Sequence, residues 1–379
     1  LLRHCEQARF VWNLATEQHT HWRSGRAAAP GFTEQCRQLT EARAEFAWLR
    51  DGSVTVQQQA LRDFAQAMRN YFVGACRRPS WRKAGRDEGF RQIGVRPEHV
   101  QRLNHRHSQV WVPKIGWVRF RRSRSVPRGV KSYRITCDRA GRWHLAFAAV
   151  PDPIAAPGNR LTIGIDRGIT VSAALSNGEL LSAPGLASSE RLRGRRLQRR
   201  LARSKRGSNC RRRVREKLAR LRARERDRCK DWAEKVSTDL ARRFDLIRVE
   251  KLDIRSMTRS ARGTVERPGR GVRQKATLNR GILANGWGQL VTRLEHKAPH
   301  RVEKIKAAYT SQQCSACGHI ASDNRKSQAD FRCVACGFAC HADVNAARNI
   351  AAGRAVTARG ALQPPGGAVN REPQLAASA

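Results

Sequence analysis

The sequence predicts an α/β protein. A mixed sheet is interrupted by an inserted zinc-ribbon-type cysteine module and preceded by a small β-barrel that carries a helical insertion. Three observations predict it. Two apolar strands, 161–166 and 246–250, each end in a carboxylate and bracket a long basic helical hairpin. Two CxxC pairs lie fifteen residues apart in the C-terminal part. Residues 90–150 hold four short alternating runs of β-branched and aromatic residues.

Composition narrows the function classes first. The 379 residues carry 75 Lys and Arg against 31 Asp and Glu, a formal charge of +44. Such self-repulsion calls for a polyanionic partner, and nucleic acid supplies one through counterion release at each phosphate contact. A basic membrane-surface protein would want a lipid-facing amphipathic segment, which the pattern lacks. No run of ~18 apolar residues is present, so no membrane span is predicted, and no signal peptide opens the chain. With 40% hydrophobic residues and nine Trp, the chain is not a disordered basic tail. It opens on Leu1 rather than Met, so the true N-terminus is expected to be missing.

In chain order, residues 1–80 are predicted as helical. Cys5, Ala8, Trp12 and Ala15 fall at helical spacing, and Leu61, Phe64, Ala65, Met68 and Phe72 repeat it. Residues 81–157 are predicted as the barrel, from β runs at 110–112, 117–120, 133–136 and 143–147. Residues 158–310 form the first part of the mixed-sheet domain. They hold strand 161–166, strand 171–175 with a hairpin signal at Asn177 and Gly178, and the basic hairpin 188–243, which turns at Gly207 and Ser208. Strand 246–250, a basic loop 263–271, a helix 279–297 and a strand 302–308 follow. The cysteine module fills 311–340. Residues 341–354, with a helix at 344–352, return to the sheet domain. Residues 355–379, rich in Gly, Pro and Ala, are expected to be disordered.

The cysteine module pairs Cys314 with Cys317 and Cys333 with Cys336. Two such knuckles suit tetrahedral thiolate coordination of Zn²⁺, and Gly318 and Gly337 permit the tight turn after each pair. Four protein ligands close the shell, so the zinc is predicted to be structural. A redox dithiol would want a thioredoxin-like βαβ frame, which is not there. Cys340, His319 and His341 are nearby competitors for a ligand position. Cys5, Cys36, Cys76, Cys137, Cys210 and Cys229 are scattered and read as ordinary buried or half-buried thiols of a bacterial cytoplasm.

Acids are scarce in this chain, so an acid at a strand end is not background. Asp166 ends one apolar strand, Glu250 ends another, and Asp343 opens the helix after the cysteine module. Singly, each could be a helix cap or a surface ion pair, Asp343 above all. Together they could hold two Mg²⁺ ions, which activate water and stabilise the leaving oxygen in phosphodiester cleavage. The order Asp, Glu, Asp, with the Glu on a strand, fits a RuvC-like nuclease on an RNase H-type sheet.

Several stretches resemble the TnpB (OrfB) family of bacterial insertion sequences. They are MTRS at 257–260, KATLN at 275–279, YTSQQCSACG at 309–318, NRKSQ at 324–328, FRC at 331–333 and ADVNAARNI at 342–350. RFVWN at 9–13 and PKIGW at 113–117 extend the resemblance over residues 1 to about 353. It implies a relative of the type V CRISPR effector nucleases, often labelled a transposase. It further implies Mg²⁺-dependent cleavage of double-stranded DNA guided by an RNA from the element's own end, with Asp166, Glu250 and Asp343 as the RuvC carboxylates. Family members usually begin with a β-strand ahead of Arg9, and its absence here would leave the barrel incomplete.

Residues 191–230 hold 20 basic and 3 acidic side chains. Three acids cannot pair twenty bases, so a merely solvated face is disfavoured. Arg195, Arg196, Arg199, Arg200, Arg203, Lys205, Arg211, Arg212 and Arg213 are the candidate contacts to the backbone of a guide RNA–DNA duplex. Aromatics are nearly absent from this stretch, which favours phosphate contact over base stacking. Trp12, Trp22, Trp81, Trp111 and Trp117 read as core residues rather than stacking platforms. His19 with His21, and His105 with His107, mimic a relaxase pair but lack its apolar spacer and helical tyrosine. Arg325 is a candidate for gating substrate near the acids, and Asn345 for orienting a carboxylate. Two other classes compete: a non-catalytic nucleic-acid-binding regulator of transposition, and a transposase that joins strands itself.

Overall fold

A computed structural model describes residues 1–21, 28–86, 88–306 and 308–353. The expected disordered tail, 355–379, and Trp22 lie outside the described residues. The chain divides into two compact units, Leu1–Pro151 with Gly194–Arg220 and Asp152–Arg193 with Leu221–Ala379. No helix among the described residues is long and apolar enough to cross a membrane.

The first unit opens with helices α1 (Leu2–Thr20), α2 (Phe32–Glu45), α3 (Ala47–Arg50) and α4 (Val54–Phe72). The predicted stripe is buried: Cys5, Ala8, Trp12 and Ala15 on α1 meet Leu61, Phe64 and Met68 on α4. Phe72 departs from the expectation. It ends α4 and is 73% exposed, because the stripe continues past the neighbour that would cover it. The polar residues of RFVWN hold the chain that follows. Arg9 pairs bidentately with Glu88, Trp12 Nε1 donates to the Ser80 carbonyl at 3.0 Å, and Asn13 exchanges two bonds with the Arg82 backbone.

The β-strands of this unit do not form the expected barrel. Among the described residues β1 (Glu88–Ile93), β2 (Val100–Arg102), β3 (His107–Val112), β4 (Gly116–Arg121), β5 (Ser132–Cys137) and β6 (Trp143–Phe147) make two separate three-stranded antiparallel sheets, ordered β1–β5–β6 and β2–β3–β4. The ladder is broken where Gly94 to Pro97 and the segment between β4 and β5 leave the sheets, so no continuous hydrogen bonding closes round. Phe90, Tyr133 and Ile135 from one sheet and Val110 and Val112 from the other still share one core with α1 and α4.

The second unit is built on a five-stranded mixed sheet, ordered β11–β10–β7–β8–β9. Its strands are β7 (Thr162–Asp166), β8 (Ala173–Leu175), β9 (Leu180–Leu181), β10 (Leu246–Glu250) and β11 (Val302–Ile305). β10 runs parallel to both β7 and β11, while β8 pairs antiparallel with β7 and with β9. Ile163, Ile165, Ile247 and Val249 are buried, as strands covered on both faces must be. The basic hairpin is α5 (Ser188–Arg203) and the 35-residue α6 (Asn209–Arg243), turning where predicted; its middle, Gly194–Arg220, belongs to the first unit and its two ends to the second.

The predicted helix 279–297 is two helices. After the short α7 (Ile254–Met257), α8 (Val272–Ala284) starts earlier than expected, and α9 (Trp287–Lys297) begins anew. Gly286 breaks them at φ 64°, where a Cβ would lie 2.6 Å from Cys229 Sγ. The hairpin β12 (Asp330–Arg332) and β13 (Ala339–His341) belongs to the cysteine module, and α10 (Ala342–Ala351) returns to the sheet. Gly164, in mid-β7, lets α10 lie backbone to backbone on the strand, since a Cβ there would come 2.1 Å from the Ala347 carbonyl oxygen. Gly164→Ala is therefore expected to cost about 3 kcal/mol by overpacking against backbone that cannot yield. Thermal unfolding should show a melting point lowered by several degrees.

Candidate active site

Val249 stands beside Ile165 in the parallel pair of β10 and β7, so Asp166 and Glu250 leave the sheet together at adjacent strand ends. The strand order also reverses here, since β8 and β9 follow outward on one side of β7 while β10 and β11 follow on the other. Open α/β sheets favour ligand sites outside their carboxyl ends at such a switch. Asp343 comes from the first turn of α10, whose positive end suits a carboxylate. A Cβ on Gly168, just past β7, would lie 3.8 Å from Asp343 Oδ2, so the loop and the helix end meet closely. The structure thus brings the three predicted acids to one place.

The electrostatics are those of crowded carboxylates. Glu250 and Asp343 are buried and Asp166 is half-buried. Burial pushes the Asp166 carboxyl above the usual carboxylate range, and the charge of Asp343 adds to the push. The hydrogen bond with the Glu250 side chain and the charge of Arg325 pull the other way. Two guanidinium groups relieve the crowding. Arg325 Nη2 lies 3.2 Å from Asp343 Oδ1, and the same group donates to the Gln328 carbonyl at 3.2 Å. Arg167, 7% exposed, donates to the Glu250 carbonyl oxygen and lies in the field of Glu250 and Asp166. Sequence reading missed Arg167 among so many arginines. Its one signal was position: strand alternation sends the neighbour of an outward Asp166 into the protein.

Surrounding side chains fix the loop after β7. Trp287 Nε1 donates to the Gly168 carbonyl at 3.1 Å, and Asn285 Nδ2 to the Ile169 carbonyl at 3.0 Å. The motif residues Lys275 and Asn279 hold the turn after α7 by donating to the Met257 and Thr258 carbonyls at 2.7 and 3.0 Å. Asn345 does not orient a carboxylate. Its amide clamps the first cysteine knuckle instead, accepting from the Ser315 N–H at 2.9 Å and donating to the Gln313 carbonyl at 2.7 Å. Asn349 donates to the Thr310 and Gln313 carbonyls. His341 caps α10, its Nδ1 accepting from the Asp343 N–H at 3.2 Å.

The four predicted cysteines form the metal centre. The Sγ atoms of Cys314, Cys317, Cys333 and Cys336 all lie within 4.8 Å of one another. The pairs Cys314–Cys336 and Cys317–Cys333 stand at 3.8 and 3.6 Å. A tetrahedron with Zn–S near 2.3 Å has edges of about 3.8 Å, so the donor set fits zinc. The amides of Cys336 and Ala335 hold the Cys333 thiol down to about 6 even against its desolvation. Against the pull of the Phe338 amide, hydrogen bonding with Cys317 and burial push Cys336 up. Thiolate ligation of a cation would release the protons of these thiols. Cys340 is outside this group. Among the described residues the three carboxylates do not reach the same mutual spacing, but they offer hard oxygen donors whose crowding Arg167 and Arg325 only partly offset.

On the basic hairpin, Arg195, Arg196, Arg199, Arg200, Arg203, Lys205, Arg212 and Arg213 are exposed. Five of them, Arg196, Arg199, Arg200, Arg203 and Lys205, line an open cavity of about 570 Å³ with Ser204, Ser208 and Cys210. Arg211 differs. It is half-buried and donates to the Leu201 and Ser204 carbonyls at 2.7 and 3.0 Å, capping the end of α5. The reading of the scattered cysteines as buried or half-buried holds for Cys5, Cys229, Cys36 and Cys137, whereas Cys76 and Cys210 are exposed. Trp12 is core, but Trp81, Trp111 and Trp117 are 49, 38 and 41% exposed.

The architecture is that of a mixed α/β protein with a four-cysteine module beside its sheet. Comparison with known proteins identifies the kind. Residues 146–261 match the family described as "Probable transposase" (OrfB_IS605), and residues 287–350 match the Cas12f1-like TNB domain. The chain is 34% identical over 375 residues to "Putative RNA-guided DNA endonuclease InsQ" of Escherichia coli (strain K12), covering 96% of this chain and 91% of that protein. It is 29% identical over 362 residues to a protein of Streptomyces pristinaespiralis described as "Putative RNA-guided DNA endonuclease", covering 93% and 85%. In fold it is similar to the solved Cas12f1–sgRNA–target DNA complex, with TM-score 0.57 and 14% identity over 92% of this chain and 81% of that one. The chain belongs to the TnpB/OrfB (IS605) family of RNA-guided endonucleases and carries the Cas12f-like TNB zinc-finger domain.

Two outcomes follow from this geometry. Metal analysis of the purified chain should find about one zinc per chain. Cys333→Ser should lose it and melt at a lower temperature. At the acids, a carboxyl whose native pKa is raised destabilises the fold once pH exceeds its unfolded value of about 3.9. Asp166→Asn removes that penalty. Without added Mg²⁺ the variant should melt as high as the wild type or higher at pH 8, with the advantage vanishing near pH 3. Differential scanning fluorimetry across pH checks both sign and window.

Proposed function

We propose that the chain is a Mg²⁺-dependent DNA endonuclease directed by a bound RNA, with a RuvC-type site of Asp166, Glu250 and Asp343. One observation carries the reading: acids from β7, β10 and α10 converge at the switch point of a sheet ordered β9–β8–β7–β10–β11, where burial, with the charge of Asp343 added, raises Asp166. That strand order is the one expected of an RNase H-type sheet. The relatives described as putative RNA-guided DNA endonucleases, and the sgRNA and target DNA of the Cas12f1 complex, support the partner assignment.

In this reading residues 158–310 and 341–354 are the two nuclease segments, 311–340 is the zinc ribbon, 1–80 a recognition-like helical segment and 81–157 a wedge-like β segment. When bound, Mg²⁺ would activate water and stabilise the leaving oxygen. The chain's own residues do the positioning. Sheet hydrogen bonds fix Asp166 and Glu250, and α10 delivers Asp343. Arg325, hydrogen-bonded to Asp343 at the rim, is placed to meet the phosphate that replaces it as a partner. The exposed arginines of the hairpin bind the backbone of the RNA–DNA duplex, as their lack of interleaved aromatics requires.

Intact carboxylates argue against a non-catalytic regulator of transposition, and the Asp, Glu, Asp order argues against a strand-joining transposase. A plasmid bearing the target sequence, incubated with protein, cognate RNA and Mg²⁺, should be cut. Asp166→Asn should abolish cutting while RNA affinity stays unchanged. Cutting retained in that variant, or joined products formed without RNA, would overturn the assignment.

A further inference from the structure

The three-stranded sheet β2–β3–β4 has two chemically different faces. Val100, Val110, Val112, Val118 and Phe120 point into the core. The other face is set by cross-strand pairs: Trp111 opposite Trp117, Gln109 opposite Arg119, and His107 opposite Arg121. Trp111 and Trp117 meet edge to face, with centroids 5.5 Å apart and planes at 71°. That arrangement leaves a ring face open, and the two residues are 38% and 41% exposed.

The surroundings of the pair carry one sign of charge. From His99 to Cys137 the chain has ten Lys and Arg and no Asp or Glu. Burial and the charges of Arg119, Arg121 and Arg106 hold the His107 imidazole below its usual range. An aromatic pair set in such a field selects against an apolar protein partner and for a polyanion with flat rings.

The pair is also held from beneath. Tyr133, 1% exposed, donates its hydroxyl to the Trp111 carbonyl at 2.9 Å. The buried His4 ring nitrogen is hydrogen-bonded at 2.9 Å to the carbonyl of Pro113, in the turn between the two tryptophans. The backbone under the rings is therefore fixed before any ligand arrives, which removes part of the ordering cost of binding. Cross-strand aromatic pairs stabilise a sheet by only about 0.2–1 kcal/mol. Core packing would serve that end better than exposing two indoles.

We infer that the outer face of β2–β3–β4 is a stacking platform for unpaired bases of a single-stranded nucleic acid, with Trp111 and Trp117 as the stacking surfaces and Arg119 and Arg121 meeting the adjacent phosphates. Bases have π faces whatever their identity, so the platform reads single-strandedness rather than sequence. It differs from the hairpin, whose arginines have no rings beside them. The inference rests on the nucleic-acid-binding part of the proposed function, not on its chemistry.

The test is fluorescence anisotropy with the whole chain and three labelled probes: oligouridine RNA, oligothymidine DNA and a blunt duplex of equal length. W111A/W117A should weaken single-strand binding by about tenfold or more, leaving duplex binding unchanged. W111F/W117F, which keeps a π face at each position, should keep the affinity. If the alanine pair unfolds, W111L/W117L keeps the apolar bulk and gives the same comparison. R119Q/R121Q should instead lower the salt slope for the single strands by about 1.4. Loss on the RNA probe assigns the platform to the guide, loss on the DNA probe to a DNA strand, and loss on both to either. Single-strand affinity unchanged in the ring-deleted variants, or lost equally for the duplex, would overturn the platform. So would a tryptophan-dependent dimer seen by light scattering. None of these readouts depends on cleavage, so failure of the Asp166 assay and failure of the platform are separate results.

Discussion

The contact between α10 and β7 is the constraint on which the second unit depends. With no side chain at Gly164, the helix backbone lies directly on the strand. Two successive turns of that helix then serve two ends. Asp343 at its start joins the acids of β7 and β10, and the buried amides of Asn345 and Asn349 hold the first cysteine knuckle. Buried amides left without partners would be costly, so the knuckle and the helix are held in register by desolvation as much as by attraction. At the far end, Arg248 on β10 donates to the Ala351 carbonyl at 2.6 Å, tying the helix to the second acidic strand. The cysteine module is therefore tied to the three acids through geometry: it is hydrogen-bonded to the helix that presents Asp343, and a closed four-thiolate shell would leave no open position for chemistry.

The acids themselves show the opposite economy. A folded core avoids placing like charges together with little water. Here three carboxylates are placed so, and Asp166 is driven up by burial and by Asp343. Arg167 and Arg325 offset part of that repulsion from two sides, one within the protein and one at its rim. They are unequally buried: Arg167 is committed to the Glu250 backbone, whereas Arg325, half-buried, meets Asp343 and the carbonyls of Ser327 and Gln328.

What was legible in the sequence follows from how locally each feature is encoded. The cysteine knuckles need only spacing and a following glycine. Asp166 and Glu250 were visible as acids closing apolar strands, and the hairpin as charge without countercharge. That the expected barrel does not close was not legible, because closure depends on pairing between distant strands, and two of those strands, β1 and β2, have weak local patterns. The break at Gly286 was hidden because α8 and α9 both continue the apolar periodicity, and only the approach of Cys229 shows why the glycine is needed. The reading of Trp111 and Trp117 as core failed for a related reason. Alternation tells which residues share a face, but with valines at 110 and 112 the smaller residues, not the larger, claim the interior.

That last reversal also divides the chain's charge into two kinds of surface. On the hairpin, arginines project from helices with small or aliphatic neighbours, and the cavity they line can hold phosphates but has no ring on which a base could stack. On the β2–β3–β4 sheet the charge is thinner, and paired indoles occupy the center of the face. Backbone contact is indifferent to whether bases are paired, since duplex and single strand both present phosphates. Stacking is not indifferent, because a paired base has its faces covered by its neighbours in the helix. Phosphate contact alone does not tell paired from unpaired strands, so a uniform coat of positive charge and a surface with paired rings differ in what they can distinguish.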